Sequence, residues 1–86
     1  MKFDRFEKAT RKNKKYKAIL KDKDGNEKSV HFGSTSYEQY KDTTGLGIWS
    51  HKDHNDEKRR SNFRSRMGKA AKKKYSPAFF SYHYLW

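Results

Sequence analysis

The sequence predicts an α+β domain: a small antiparallel β-hairpin or sheet packed on one main helix, with an aromatic C-terminal segment. Three observations point there. YKAIL (residues 16–20) and SVHFG (29–33) read as strands on either side of an Asp-Gly turn signal. Residues 54–74 carry apolar side chains at helical spacing, with an acidic start and a basic finish. Finally, 6 Phe, 6 Tyr and 2 Trp give large rigid apolar surfaces to a chain that is only 31% hydrophobic. At 86 residues the chain has the size of one domain, read as an N-terminal arm over 1–14 and a single α+β unit over 15–86.

Residues 1–14 are mixed. Phe3 and Phe6 fit one side of a short helix, and a basic extended arm fits equally well. For the hairpin, pairing Leu20 with Val30 and Ala18 with Phe32 puts Tyr16, Ala18, Leu20, Val30 and Phe32 on one face. Lys15, Lys17, Lys21 and Ser29 then point to the other. A one-residue slip would split the apolar set between the faces, so burial selects against it. The loop must be of odd length, with Gly25 or Asn26 taking positive φ. A lone hairpin is marginal and needs a cover. Segment 54–74 is the expected cover, capped by Asp53 or Asn55. Its stripe is Phe63, Met67, Ala70 and Ala71, and Gly68 either permits close packing or marks a break. Leu46, Ile48 and Trp49 are expected to close the core, and Tyr37 to help at its edge. Ser76-Pro77 is an N-cap and first-turn pair for a last short helix with Phe79, Phe80, His83 and Tyr84.

Charge sets the class of partner. Lys and Arg number 22 against 10 Asp and Glu, a net charge of +12. Residues 1–30 carry 11 basic and 5 acidic groups, residues 31–54 carry 2 and 3, and residues 55–86 carry 9 and 2. Two basic lobes therefore flank a near-neutral middle. Such a surplus repels itself and favours polyanionic or acidic partners. There is no cysteine, which excludes disulfides and thiolate sites. No hydrophobic run follows Met1, so no signal peptide is expected, and no apolar stretch is long enough to span a membrane.

Motifs for chemistry are weak. His31, His51, His54 and His83 with Asp53 lack metal-ligand spacing. Gly45-x-Gly47 lacks the further glycine and lysine of a phosphate loop. Asp53, Asp56 and Glu57 read more simply as a helix start than as a nuclease centre. No enzyme and no cofactor is expected.

VHFG (30–33), SYEQYKD (36–42), KDHNDEKRRSNFRSR (52–66) and the final YLW together resemble a pattern of small basic proteins of large nucleocytoplasmic DNA viruses. That family has a strand ending in Phe-Gly, a Tyr-x-x-Tyr/Phe segment, an Asp-containing helix with an Arg-Arg pair, and a terminal Leu-Trp. Gly33, Tyr37, Tyr40, Asp53, Arg59, Arg60, Phe63, Arg66, Leu85 and Trp86 match. The family's frequent His after the second Arg is Met67 here, and the Gly45–Gly47 loop looks inserted. The resemblance implies a viral setting and no reaction.

Two functions are expected from this. The first is a structural one: a minor capsid or internal virion component that bridges larger virion or capsid proteins. Trp49, Phe80, Tyr84 and Trp86 would anchor it in their pockets, in the virion or in the cytoplasm or nucleus of an infected host cell. The alternative is sequence-nonspecific binding of DNA or RNA. Lys12, Lys14, Lys15 and Lys17, with Arg64, Lys69, Lys72, Lys73 and Lys74, would contact phosphates or an acidic partner. Asp53, Arg60 and Arg66 are expected to form structural ion pairs.

Overall fold

A computed structural model describes residues 1–86. It is an α+β arrangement in which a three-stranded antiparallel sheet in the order β1-β2-β3 packs with two helices. The strands are β1 (Lys2–Lys8), β2 (Lys14–Lys21) and β3 (Glu27–Ser34). The helices are α1 (Glu57–Met67) and α2 (Pro77–Tyr84), with single 3-10 turns at Ser50–Lys52 and Ala70–Lys72.

The N-terminal segment is a strand, neither a helix nor a loose arm. Phe3 and Phe6 are three residues apart, which in a regular strand would put them on opposite faces. A bulge between Phe3 and Arg5 inserts the extra residue, so Phe3 pairs with Leu20 and Phe6 with Ala18. Both rings then meet the core, 4.6 Å apart. The same spacing in a sequence mimics helical periodicity.

The β2–β3 register differs from the expected one by two residues. Tyr16 pairs with Phe32, Ala18 with Val30 and Leu20 with Lys28. A two-residue shift preserves the faces, so the apolar set is unchanged. The extra reach lies in the loop. The Asp22 carboxylate accepts from the backbone N–H of Asp24 and of Asn26, each at 2.9 Å, and Gly25 takes φ +84°. Those amides hold its carboxyl below the usual range.

The sheet's cover is α2, not α1. Tyr16, Ala18, Leu20, Phe32, Phe80 and Leu85 form the buried core, with Phe3, Phe6, Val30, Trp49, Tyr75, Phe79, Tyr84 and Trp86 packed around it. α2 starts where expected: Ser76 Oγ accepts from Phe79 N at 3.1 Å, and Pro77 sits in the first turn. α1 buries no residue. Its cap is Asp56, which accepts from Lys58 N and Arg59 N, rather than Asp53 or Asn55. It stops at Met67, so Lys72, Lys73 and Lys74 lie beyond it. Of the expected stripe only Ala71 is buried, in the 3-10 turn. Phe63 stacks on Trp86 instead of the sheet, with rings 4.3 Å apart and 8° from parallel. The composition accounts for the exchange: the last ten residues hold five Phe, Tyr and Trp side chains and α1 holds only Phe63. Trp49 joins the core, while Leu46, Ile48 and Tyr37 remain exposed rather than closing it.

On the sheet's other face Ile19 is buried, and that face also carries paired charges. Arg5 meets Asp4, Glu7 and Glu27, Lys17 meets Glu7 at 3.6 Å, and Lys21 meets Asp4 and Glu27. No helix is long and apolar enough to cross a membrane.

Candidate functional site

The placement of acidic groups determines where positive charge is left over. Asp4, Glu7 and Glu27 are used on the outer sheet face. Asp22 closes the hairpin loop and Asp56 caps α1. Glu38 pairs with Arg59 at 3.2 Å and Glu57 with Arg60 at 3.9 Å. Asp42 and Asp53 are turned inward, into a polar network behind β2.

That network centres on Lys15, which is only 2% exposed. Its Nζ donates to the Tyr37 carbonyl at 2.7 Å and to Gln39 Oε1. Gln39, itself fully buried, donates from Nε2 to the Trp49 carbonyl at 2.8 Å and to Asp53 Oδ1 at 2.6 Å. Asp53 also accepts from Asp42 N at 2.9 Å. Tyr16 OH donates to Asp42 and accepts from Trp49 N. The network ties the irregular middle of the chain to β2, and the buried Lys15 and Gln39 side chains find their partners within it. Burial, helped by nearby Lys52, lowers Lys15 to about 8 despite Asp42 and Asp53. Burial and the bond to Asp42 push Tyr16 up to about 12.

Several expected site residues are thereby reassigned. Lys15 is interior and reaches no phosphate, and Lys17 is engaged with Glu7 on the outer face. Arg64 Nε donates to the Trp86 backbone oxygen at 3.2 Å, and its guanidinium lies 4.4 Å from the Tyr82 ring. Arg60 donates to the same oxygen at 2.8 Å and covers Tyr40 at 4.8 Å. Its ion pair with Glu57 is the only one among the three residues expected to form them. Asp53 serves as a hydrogen-bond acceptor, and Arg66 lies 5.9 Å from the Phe63 ring without a carboxylate. Phe80 is wholly buried and anchors no partner; it centres the core. Trp49, Tyr84 and Trp86 are half-buried and likewise pack on the core.

Lys2, Lys8, Arg11, Lys12, Lys23, Lys28, Lys41, Lys58, Arg66, Lys69, Lys72, Lys73 and Lys74 are exposed with no carboxylate within ion-pair distance. Arg11 from the β1–β2 turn, Lys28 from β3, and Lys73 and Lys74 from the turn before α2 converge on a hollow of about 500 Å³. Its other walls include Ser29, His31, Tyr75 and Ser76, and no acid. Lys28 and Arg11 were not expected there. Residues far apart in sequence meet only once β3 has become the sheet edge beside the 73–76 turn. Burial first, then Arg11, Lys17 and Lys14, hold His31 below the ordinary imidazole value.

A second cleft, of about 570 Å³, separates α1 from α2 and the end of β3. Phe63, Met67, Leu85 and Trp86 give it an apolar floor, with Lys14, Arg59 and Arg66 at its rim. Gly33, at φ +76°, lies against it; a Cβ there would stand 3.0 Å from Leu85 Cδ1 and 3.3 Å from Lys15. His54 sits nearby with Nδ1 accepting from Asp56 N at 2.9 Å and a buried Nε2 lacking a partner. Burial, then Arg59, lowers its pKa. No group of three or more acidic, histidine or cysteine side chains is gathered as a metal site.

Residues 5–44 are similar to a protein family of unknown function, DUF5754. The similarity takes in most of the sheet and the Gln39–Asp42 part of the buried network, and leaves both helices outside it. No curated protein and no solved structure matches the chain.

Proposed function

We propose that this protein binds nucleic acid without sequence preference, through the face that gathers Arg11, Lys28, Lys73 and Lys74. The observation that carries this reading is the acid-free convergence of four cations from three separate segments. The fold spends its carboxylates elsewhere, on the outer sheet face, in caps and in the interior. Lys12 and Lys72, next to Arg11 and Lys73 in sequence, are also exposed. Lysine clusters neutralise phosphates and do not read base edges, so affinity is electrostatic and sequence-independent. The virion-bridging alternative loses Phe80, one of its four expected aromatic anchors, to the core.

With about four or five phosphate contacts, log affinity for duplex DNA falls against log salt with a slope near −4. Replacing Lys28, Lys73 and Lys74 by Gln reduces that slope by about 2–3 and weakens binding at every sequence tested. Absence of binding at about 50 mM salt, or an unchanged slope in the triple variant, overturns the reading. An acidic protein partner, as the bridging role requires, is then the remaining use for the charge.

A further inference from the structure

The basic hollow and the α1–α2 cleft both lie along β3. β3 is an open edge strand of the sheet. Its residues 28–31 wall the hollow, Gly33 and Ser34 wall the cleft, and Pro77 belongs to both. At about 3.4 Å per residue the strand carries this track for roughly 20 Å. One half carries Arg11, Lys28, Lys73 and Lys74 and no carboxylate. The other has an aromatic and apolar floor with Lys14 and Arg66 above it. The single carboxylate in the cleft, Glu38, is tied to Arg59 at 3.2 Å.

We infer that this track selects single-stranded nucleic acid, holding phosphates in the basic half and one or two unstacked bases in the cleft. The inference rests on the nucleic-acid reading above. A duplex offers its phosphates to the hollow, but its base faces are stacked on one another and cannot enter the cleft. An unpaired base meets Phe63, Met67 and Trp86, while its phosphate stays within reach of Lys14 and Arg66. Contact between a base and an aromatic floor is tolerant of sequence, because every base has an apolar face, and strengthens binding roughly tenfold per base. The alternating need of a single strand, charge for the backbone and apolar surface for the bases, matches the order of features along β3.

The test is fluorescence anisotropy with an oligothymidylate of about 12 nucleotides and with the same oligomer paired to its complement. The single strand is expected to bind roughly tenfold tighter than the duplex. Met67→Glu, on the α1 wall, removes that preference. Ala78→Glu does the same from the α2 wall and covers the case in which the first variant is misfolded, as judged by circular dichroism. Equal affinity for the two forms, or a preference that survives both folded variants, overturns this inference and leaves the basic face as a general phosphate binder. Binding to neither form overturns the nucleic-acid reading itself.

Discussion

Truncating Phe80 and Phe63 separately distinguishes which helix supports the sheet. Phe80 is fully buried and its ring lies 5.3–6.2 Å from those of Phe3, Phe6, Phe32, Tyr75, Phe79 and Tyr84. Removing such a ring costs about 3–5 kcal/mol, from lost transfer energy and the cavity left behind. A chain of this length has a stability of about 4–13 kcal/mol. Its core is confined to six clustered residues, which places it toward the low end. Phe80→Ala therefore leaves little or no folded protein at 25 °C, and Phe80→Leu, which keeps part of the volume, costs roughly 1–2 kcal/mol. Phe63 is half-buried, stacks on Trp86 and borders the open cleft. Its truncation forfeits the aromatic pair and part of its buried area, about 1–2 kcal/mol. Urea denaturation followed by circular dichroism measures both. A Phe63→Ala loss equal to or larger than that of Phe80→Ala would refute the arrangement and put α1 on the sheet.

Gly33→Ala introduces both a left-handed alanine and a clash with Leu85 and Lys15, whereas Gly25→Ala, at φ +84° in open space, introduces the first alone. The Gly25 variant is expected to lose about 1–2 kcal/mol and the Gly33 variant more; thermal melts in which Gly25→Ala is the worse of the two contradict this. Lys15 gives a pH signature. Its folded pKa, about 8, lies below the unfolded value, so its stabilising contribution is full above the unfolded pKa and is lost as pH falls through 8. Stability therefore rises between about pH 8 and 10, before Tyr16, raised to about 12, begins to act in the opposite sense. Relief of the overall charge repulsion has the same sign, so the measurement is the difference in slope between the native chain and Lys15→Met; identical slopes refute the assignment.

The interior network also explains how a lysine comes to lie in a small core. Leaving Lys15 buried without partners would be costly. Gln39 and the Tyr37 carbonyl take up its donors, while Asp42 and Asp53 supply negative charge nearby. The network holds the 39–54 segment against β2: Gln39 N bonds the Lys52 carbonyl at 3.2 Å and His54 N bonds the Gln39 carbonyl at 2.9 Å. With that segment fixed, Asp56 is positioned to start α1, and α1 forms the far wall of the cleft. The candidate track is thus organised partly from the interior, by residues that do not touch it.

By itself the sequence determined the α+β class, the two strands flanking the Asp-Gly turn, the face shared by Tyr16, Ala18, Leu20, Val30 and Phe32, and the Ser76-Pro77 helix start. These are local signals: alternation, turn chemistry and capping act between residues close in the chain. It also determined the excess of positive charge, because composition does not depend on folding. The tertiary structure decided the rest. A bulge turned the helical-looking Phe3 and Phe6 into strand residues, which no single-residue propensity records. The choice of α2 over α1 as cover was a competition between two apolar segments for one sheet face, settled by the greater ring area of the C-terminal one. Lys15 and Lys17 looked like surface cations because nothing local says which lysine will face Gln39 and which Glu7. The hollow itself, with Arg11, Lys28, Lys73 and Lys74 around it, exists only where a strand edge meets a turn more than forty residues away in sequence, and no local pattern encodes that meeting.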